Sequence, residues 1–281
     1  MQAAPAAAGI DLANWNWKGV RQFVQERFGH VLSCSSCLNY LHRLDFVLKR
    51  PKKRLLKADP AKREAFVASY AALRIEAQRI GARIFFVDEA HFRADADLWA
   101  KWVLRGQPAL VDSTSPKLGE KATYYSAVCL ETGEVDAMSV TGTCTAETSV
   151  AFLKQLRQNY QGILIVIWDN SPAHRGPELR AYLTTANLQL RLVNLPAYSP
   201  DFNADEAIWD WAREEVTANT CFGTAAKVRE TLDVFFAGLG ERMAEVRQRC
   251  RTTLQALADA LLATNGLSAQ VNHVDLTLGS V

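Results

Sequence analysis

The stretch ILIVIWDNSPAH, residues 163–174, decides the fold of the larger part of this chain. Its first six residues are all apolar, which is typical of a strand that helices bury on both faces. Asp169 follows this strand at once, and a turn with Asn170 and His174 comes after it. Because a carboxylate buried at a strand end has to be compensated, Asp169 is a candidate functional group.

The sequence on both sides of this stretch alternates between strand and helix patterns. In chain order the predicted elements are a strand at 84–88, a hairpin of strands at 124–130 and 135–140, a helix at 147–160, the buried strand at 163–169, a helix at 177–186, a strand at 188–195 and a helix at 205–216. This order predicts an α/β fold, a mixed sheet flanked by helices, in which functional groups collect at the strand ends.

Three acidic residues occupy such positions. Asp88 ends the first strand, Asp169 ends the buried strand, and Glu206 follows the loop at 196–200. Each has an ordinary explanation as well: an ion pair with an Arg for Asp88, a strand-end turn for Asp169, and a capping box with Asn203 for Glu206. Together they offer the oxygen ligands that Mg²⁺ or Mn²⁺ prefers, and two such ions support phosphodiester chemistry.

The N-terminal region has the charge of a DNA-binding segment. The chain has a net charge of +2, but residues 1–57 hold ten Lys/Arg against three Asp/Glu. Since Pro51 disfavours a helix, we predict an extended basic arm that contacts phosphates, with a solvated linker as the alternative. The residues predicted to bind DNA here are Lys49, Arg50, Lys52, Lys53, Arg54 and Lys57.

Two short helices are predicted ahead of the basic arm. Apolar spacing favours a helix from Trp17 to Phe28 that ends at Gly29, and a second helix begins after Ser33. This pair is typical of a helix-turn-helix module whose second helix enters the major groove, although a helical hairpin without DNA contact is the alternative. The predicted contacts of the second helix are Ser35, Ser36, Asn39 and Arg43. A third helix, from Pro60 to Ile80, leads into the larger domain.

The composition argues against several other classes of protein. With 281 residues and 49% hydrophobic content, the chain has enough apolar residues for a sizeable core. No apolar run approaches the roughly 18 residues of a membrane span, so we expect a cytoplasmic protein without membrane contact. Six scattered cysteines fit reduced thiols better than a disulfide framework, and the CxxC of Cys34 and Cys37 has no second pair at zinc-finger spacing.

Three motifs resemble those of the bacterial insertion-sequence transposases of the Tc/mariner superfamily. They are VDEA at 87–90 with WVLRG at 102–106, WDNSPAH at 168–174, and LPAYSPDFNADE at 195–206 followed by Trp209. The motifs occur in the family's order, and the 36 residues between Asp169 and Glu206 are near the family's spacing. The resemblance covers about residues 17–250, and the third motif is its most specific part.

This resemblance implies a ribonuclease H-like fold with a DDE triad of Asp88, Asp169 and Glu206, which would be both the catalytic residues and the ligands of two Mg²⁺ or Mn²⁺ ions. It places Asn170, His174 and Asn203 near the site, and Glu89 and Asp205 one position away from the ligands. The implied activity is cleavage of double-stranded DNA at transposon ends and transfer of the 3′ hydroxyl to a TA target. We expect a homodimer that brings two ends together, acting at the bacterial nucleoid.

On these grounds we divide the chain into a helix-turn-helix module at 1–47, a basic arm and connecting helix at 48–82, a catalytic domain at 83–240 and a helical tail at 241–281. The tail packs either on the core or on a second subunit. Family members commonly carry two helix-turn-helix modules, whereas about one fits here, and Ala204 stands where the family usually has Pro. The alternative functions are a metal-dependent nuclease without transposition and a DNA-binding regulator derived from a transposase.

Overall fold

The computed structural model describes residues 3–48, 57–115, 119–185 and 189–264. The chain divides into two compact units, Met1–Arg54 and Leu55–Val281. Within the described ranges, no helix combines the length and the apolar character needed to cross a membrane.

The first unit contains the two predicted helices, α1 (Trp17–Phe28) and α2 (Cys34–Arg43). Asn16 caps α1 by accepting the backbone N–H groups of Lys18 and Gly19, and Gly29 ends the helix at a φ of 71°. The Ser33 side chain caps α2. Between the helices lies an open apolar pocket of about 680 Å³. The predicted helix pair and its caps are therefore confirmed.

The second unit is built on one five-stranded sheet. Its strands are β1 (Arg83–Arg93), β2 (Lys121–Cys129), β3 (Val135–Val140), β4 (Leu164–Trp168) and β5 (Leu190–Asn194). They lie in the order β3-β2-β1-β4-β5. β1, β2 and β3 pair antiparallel, whereas β4 pairs parallel with both β1 and β5. The predicted mixed sheet is confirmed.

Helices cover both faces of this sheet. They are α3 (Pro60–Ile80), α4 (Ala146–Asn159), α5 (Pro177–Leu183), α6 (Glu206–Ala212), α7 (Ala225–Gly238), α8 (Met243–Arg249) and α9 (Thr253–Thr264). Apolar residues of α4 and α5 pack on one face, and those of α3, α6, α8 and α9 pack on the other. α7 joins a third cluster with the far end of β1. β4 is therefore fully buried, whereas β1 is buried along its first half and has the exposed residues His91 and Arg93 near its end.

Two elements differ most from the predicted bounds, for physical reasons. β1 continues beyond 84–88 because its antiparallel pairing with β2 extends to Arg93, opposite Lys121. The helix predicted at 205–216 is α6 followed by a π-helical turn, Arg213–Thr217. Such π-turns widen a helix by one residue per turn and are frequent near functional sites.

The described part of the tail packs on the core of the second unit. Val246, Leu254 and Ala258 are fully buried in the cluster that includes α3. Arg74 on α3 also forms an ion pair of 2.5 Å with Asp259 on α9. Residues 243–264 thus complete the layer over one face of the sheet.

Candidate active site

Two of the predicted carboxylates, Asp88 and Asp169, lie just past the end of the parallel pairing of β1 and β4. Asp88 does not end its strand as predicted, because β1 continues to Arg93. Phe86 of β1 lies opposite Ile167 of β4, so Asp88 and Asp169 each follow an aligned pair by two residues. Glu206 is the first residue of α6, which begins after the loop that leaves β5. The three predicted acids therefore come from three separate elements.

Asp88 lies on the face of the sheet that α6 covers. Its Oδ2 atom accepts a hydrogen bond of 3.2 Å from the indole N–H of Trp209. Burial raises the pKa of Asp88 well above its usual value, and the negative charges of Glu206, Glu89 and Asp169 raise it further. Among the described residues Asp88 has no Arg partner, so the ordinary ion-pair explanation does not hold.

Glu206 does not serve as a helix cap. Asp205 occupies the N-cap position of α6 and makes no cap hydrogen bond with its side chain, and its own backbone N–H donates to Oδ1 of Asn203 at 3.2 Å. Burial raises the pKa of Glu206, as do the charges of Asp210 and Asp169, while Arg213 lowers it. Asn203, the partner in the expected capping box, instead donates its side-chain N–H to the backbone oxygen of Val87 at 3.0 Å. Asn203 therefore joins the third motif to β1 beside Asp88.

Asp205 attaches the start of α6 to the sheet. It is fully buried and accepts a hydrogen bond of 2.5 Å from the hydroxyl of Ser126. Ser126 lies directly opposite Asp88 in the pairing of β1 and β2. Burial raises the pKa of Asp205 well above its usual value, and nearby carboxylates raise it further. The family resemblance places Asp205 one position away from the ligands; the signal in the sequence for its role is Ser126, a polar residue within an apolar strand.

Asp169, His174 and Glu89 form a line of alternating charge. His174 Nδ1 lies 3.0 Å from Oδ1 of Asp169, and His174 Nε2 lies 3.1 Å from Oε1 of Glu89. Burial disfavours the charged form of His174, but its contacts with these two acids outweigh burial and raise its pKa to about 9. Burial would raise the pKa of Asp169, yet the hydrogen bonds from His174 and the Ser171 backbone lower it. Both acids therefore favour the charged form of His174.

Residues 83–229, just over half of the chain, match the family model described as DDE superfamily endonuclease. The chain belongs to the DDE superfamily of endonucleases. In this DDE chain, residues 13–70 also match the winged helix-turn-helix model, in agreement with the predicted N-terminal module.

The chain is also similar to individual proteins and solved structures. The DDE chain is 27% identical over 220 residues to the insertion element IS630 uncharacterized 39 kDa protein of Shigella sonnei. That match covers 77% of this chain and 62% of the relative, so this chain spans less than two thirds of the relative's length. Its fold is similar to that of the Mos1 transposase paired-end complex with left transposon end, at a TM-score of 0.61 and 18% identity, over 90% of this chain and 79% of the other. The Mos1 strand transfer complex also has a TM-score of 0.61, at 17% identity, over 92% and 79%. The predicted ribonuclease H-like fold is confirmed.

The third near-site residue of the DDE chain joins two strand ends. The Asn170 side chain donates a hydrogen bond of 2.7 Å to the backbone oxygen of Leu195, just after β5. Asn170 and Asn203 thus both donate side-chain hydrogen bonds to backbone oxygens near the carboxylates. Both residues thus stabilise the loops that carry the acids.

The DNA-binding candidates of the DDE chain are partly described. Ser35, Asn39 and Arg43 are exposed and lie four residues apart, so they share one face of α2. Ser36 has its hydroxyl 2.9 Å from that of Ser33, within the helix cap. Lys57 is exposed, with its Nζ 5.8 Å from the ring centroid of Tyr198. Lys49, Arg50, Lys52, Lys53 and Arg54 lie outside the described residues.

Proposed function

We propose that this chain is a DNA transposase that cleaves phosphodiester bonds at transposon ends and transfers the freed 3′ hydroxyl groups to target DNA. Asp88, Asp169 and Glu206 are its catalytic residues and hold two Mg²⁺ or Mn²⁺ ions. One observation carries the proposal most strongly: Asp88 and Asp169 each follow the last aligned pair of β1 and β4 by two residues, and the charges of Asp169 and of Glu206 at the start of α6 both raise the pKa of Asp88.

The chemistry of these side chains fits a divalent cation. Burial and mutual repulsion make the charged forms of Asp88 and Glu206 costly, and a bound cation compensates for that cost. Glu89, Asp169 and His174 also place one potential ligand atom each within 4.8 Å of one another. When bound, two such ions activate the attacking hydroxyl and stabilise the leaving oxygen, so no nucleophilic side chain is needed.

The residues around the acids have supporting roles in this proposal. Trp209 orients Asp88 through its indole N–H, and Asn203 holds the loop before Glu206 against β1. Asp205 fixes the start of α6 through Ser126. These contacts hold Asp88, Asp205 and the loop before Glu206 in place in the protein without DNA.

The proposed substrate is double-stranded DNA, bound through α2 and the basic arm. The winged helix-turn-helix match supports this choice, as does the similarity to the Mos1 paired-end complex with a transposon end and to the Mos1 strand transfer complex. We propose that two copies of the chain bring two ends together, and that the target is TA. A protein with these partners works in the cytoplasm at the nucleoid.

The experiment uses the purified full chain and labelled DNA from both flanks of its gene. We expect nicks at the element boundary in Mg²⁺ or Mn²⁺ and none in EDTA. Glu206→Gln should lower the cleavage rate at least about a thousandfold, because an oxygen ligand is lost without a large change of shape. Glu230→Gln, which changes an exposed acid on α7, serves as the matched control and should cut normally.

The finer parts of the proposal have separate measurements. Sequencing the junctions formed with a plasmid target tests the TA preference, and the mass of the protein–DNA complex tests the pairing of two ends. A rate that rises with the second power of metal concentration supports two ions. Cleavage without joining would favour the nuclease alternative, and end DNA left intact at every metal concentration would overturn the proposal.

A further inference from the structure

Glu89 lies next to Asp88 on β1 but on the opposite face of the sheet, because successive side chains of a strand alternate. Ala90 and Phe92 share the face of Asp88 and pack near Trp209, whereas Val87 shares the face of Glu89 and packs near α4. The Glu89 side chain is only 13% exposed. A carboxylate with so little access to water needs a partner.

The partner of Glu89 is His174. The side chain of His174 is 1% exposed, and its ring stacks on Trp168 at a centroid distance of 4.0 Å and an interplanar angle of 7°. Its Nε2 atom lies 3.1 Å from Oε1 of Glu89 and forms no well-aligned hydrogen bond within the described part of the chain. Stacking on Trp168 thus sets the plane of the His174 ring. The Glu89 carboxylate is the charged group that faces Nε2 of this ring.

The other edge of the ring contacts Asp169. His174 Nδ1 lies 3.0 Å from Oδ1 and 3.1 Å from the backbone oxygen of Asp169. The Ser171 N–H donates a bond of 2.8 Å to the same Oδ1. Oδ2 of Asp169 contacts no polar group of the described residues, and the side chain is 52% exposed. One carboxylate oxygen is therefore fixed, and the other is free to bind a ligand.

We infer that Glu89 and His174 are positioning residues: through the His174 ring, Glu89 holds the Asp169 carboxylate in the orientation that binds a divalent cation. This inference rests on the proposed function, because it assigns Asp169 as a metal ligand. Residues that orient a ligand from outside the coordination sphere typically change metal affinity by about 10- to 100-fold. The geometry therefore predicts an effect on binding of the metal itself, before any chemistry.

The test measures Mn²⁺ binding to the full chain without DNA. Electron paramagnetic resonance detects the bound Mn²⁺. Glu89→Gln keeps the shape of the side chain and should weaken Mn²⁺ binding about tenfold. His174→Asn places an amide N–H near the position of Nδ1, so it should bind better than His174→Ala. The double variant of Glu89→Gln and His174→Asn should bind no more weakly than His174→Asn alone, because the two residues act in series. Glu178→Gln, an exposed acid at the start of α5, is the control and should bind as the wild type does.

Three outcomes would overturn the inference: unchanged Mn²⁺ affinity in Glu89→Gln, additive losses in the double variant, or a nitrogen hyperfine coupling that shows His174 bound directly to Mn²⁺. Cleavage by Glu89→Gln should recover at saturating Mn²⁺, which a defect in folding would not allow. The proposed function fails separately, if the wild type binds Mn²⁺ but cuts no end DNA.

Discussion

Asp88 and Asp169 illustrate how two acids of one site differ in their effect on folding. The pKa of Asp88 is raised above its usual value, so the folded state disfavours its charge. The pKa of Asp169 is lowered, mainly because His174 and the Ser171 N–H outweigh the effect of burial. Asp88 therefore costs stability once it ionises, whereas Asp169 contributes stability in its ionised form.

This difference predicts opposite results for two isosteric variants in metal-free buffer. For Asp88, stability is lost as pH rises from the unfolded pKa towards the higher folded pKa, so Asp88→Asn should raise Tm by a few degrees at about pH 7.5 and less at about pH 4.5. Asp169→Asn should give no such gain. Thermal melts in EDTA measure both, and equal melting temperatures for wild type and Asp88→Asn at the two pH values would count against the assignment.

Trp209 and Trp211 provide a matched pair of buried indoles on α6, each 1% exposed. The Trp209 N–H bonds to Asp88, whereas the Trp211 N–H bonds to Glu215 at 2.6 Å. Replacing either by Phe should lower the free energy of unfolding by about 1–2 kcal/mol, through one lost hydrogen bond and some packing. We expect only Trp209→Phe to raise the Mg²⁺ concentration needed for half-maximal cleavage. If the Mg²⁺ concentration needed for half-maximal cleavage rises equally in both variants, the effect comes from the packing of α6 and not from the bond to Asp88.

At the scale of elements, the β2–β3 hairpin turn contacts the start of α8. Gly133 has a φ of 81°, and a Cβ built there would lie 2.2 Å from the backbone oxygen of Met243. Gly162 has a φ of 84° with open space around it. The two glycines therefore share the same conformational demand but differ in what surrounds them.

We predict that Gly162→Ala lowers the free energy of unfolding by about 1 kcal/mol, the usual cost of a left-handed Ala. Gly133→Ala should cost about 1–3 kcal/mol more, because α8 has to move. Urea unfolding of both variants measures the difference. Equal losses would mean that the hairpin and α8 separate without penalty.

At the scale of the whole molecule, the two units have different tasks in the proposed function. Ser35, Asn39 and Arg43 share an exposed face of α2 in the first unit, and the carboxylates belong to the second. Arg43→Ala should weaken binding of end DNA about tenfold. It should also lower the slope of log affinity against log salt concentration by about one, because one phosphate contact is lost. Mn²⁺ affinity and the melting of the second unit should stay unchanged.

Arg27→Ala is the control for this prediction, because Arg27 is an exposed cation at the end of α1, outside the α2 face. It should affect end binding less than Arg43→Ala does. If both substitutions weaken binding equally at every salt concentration, the contribution of Arg43 is general charge and not recognition by α2.

Although Asp88, predicted to end a strand, lies within β1, the sequence by itself determined the order of the strands and helices along the chain, the two caps of the N-terminal helices, and the places of Asp169 after β4 and Glu206 at the start of α6. These features depend on local patterns: apolar periodicity, turn residues and motif spacing. Only the tertiary structure decided that Asn203 bonds to β1 instead of forming a capping box, that the tail helices pack on α3, and that Trp209 reaches Asp88 across 121 positions of the chain. It also placed Glu89 on the face opposite Asp88, in contact with His174. The physical reason is that a side-chain contact depends on how distant elements pack, which no local pattern specifies.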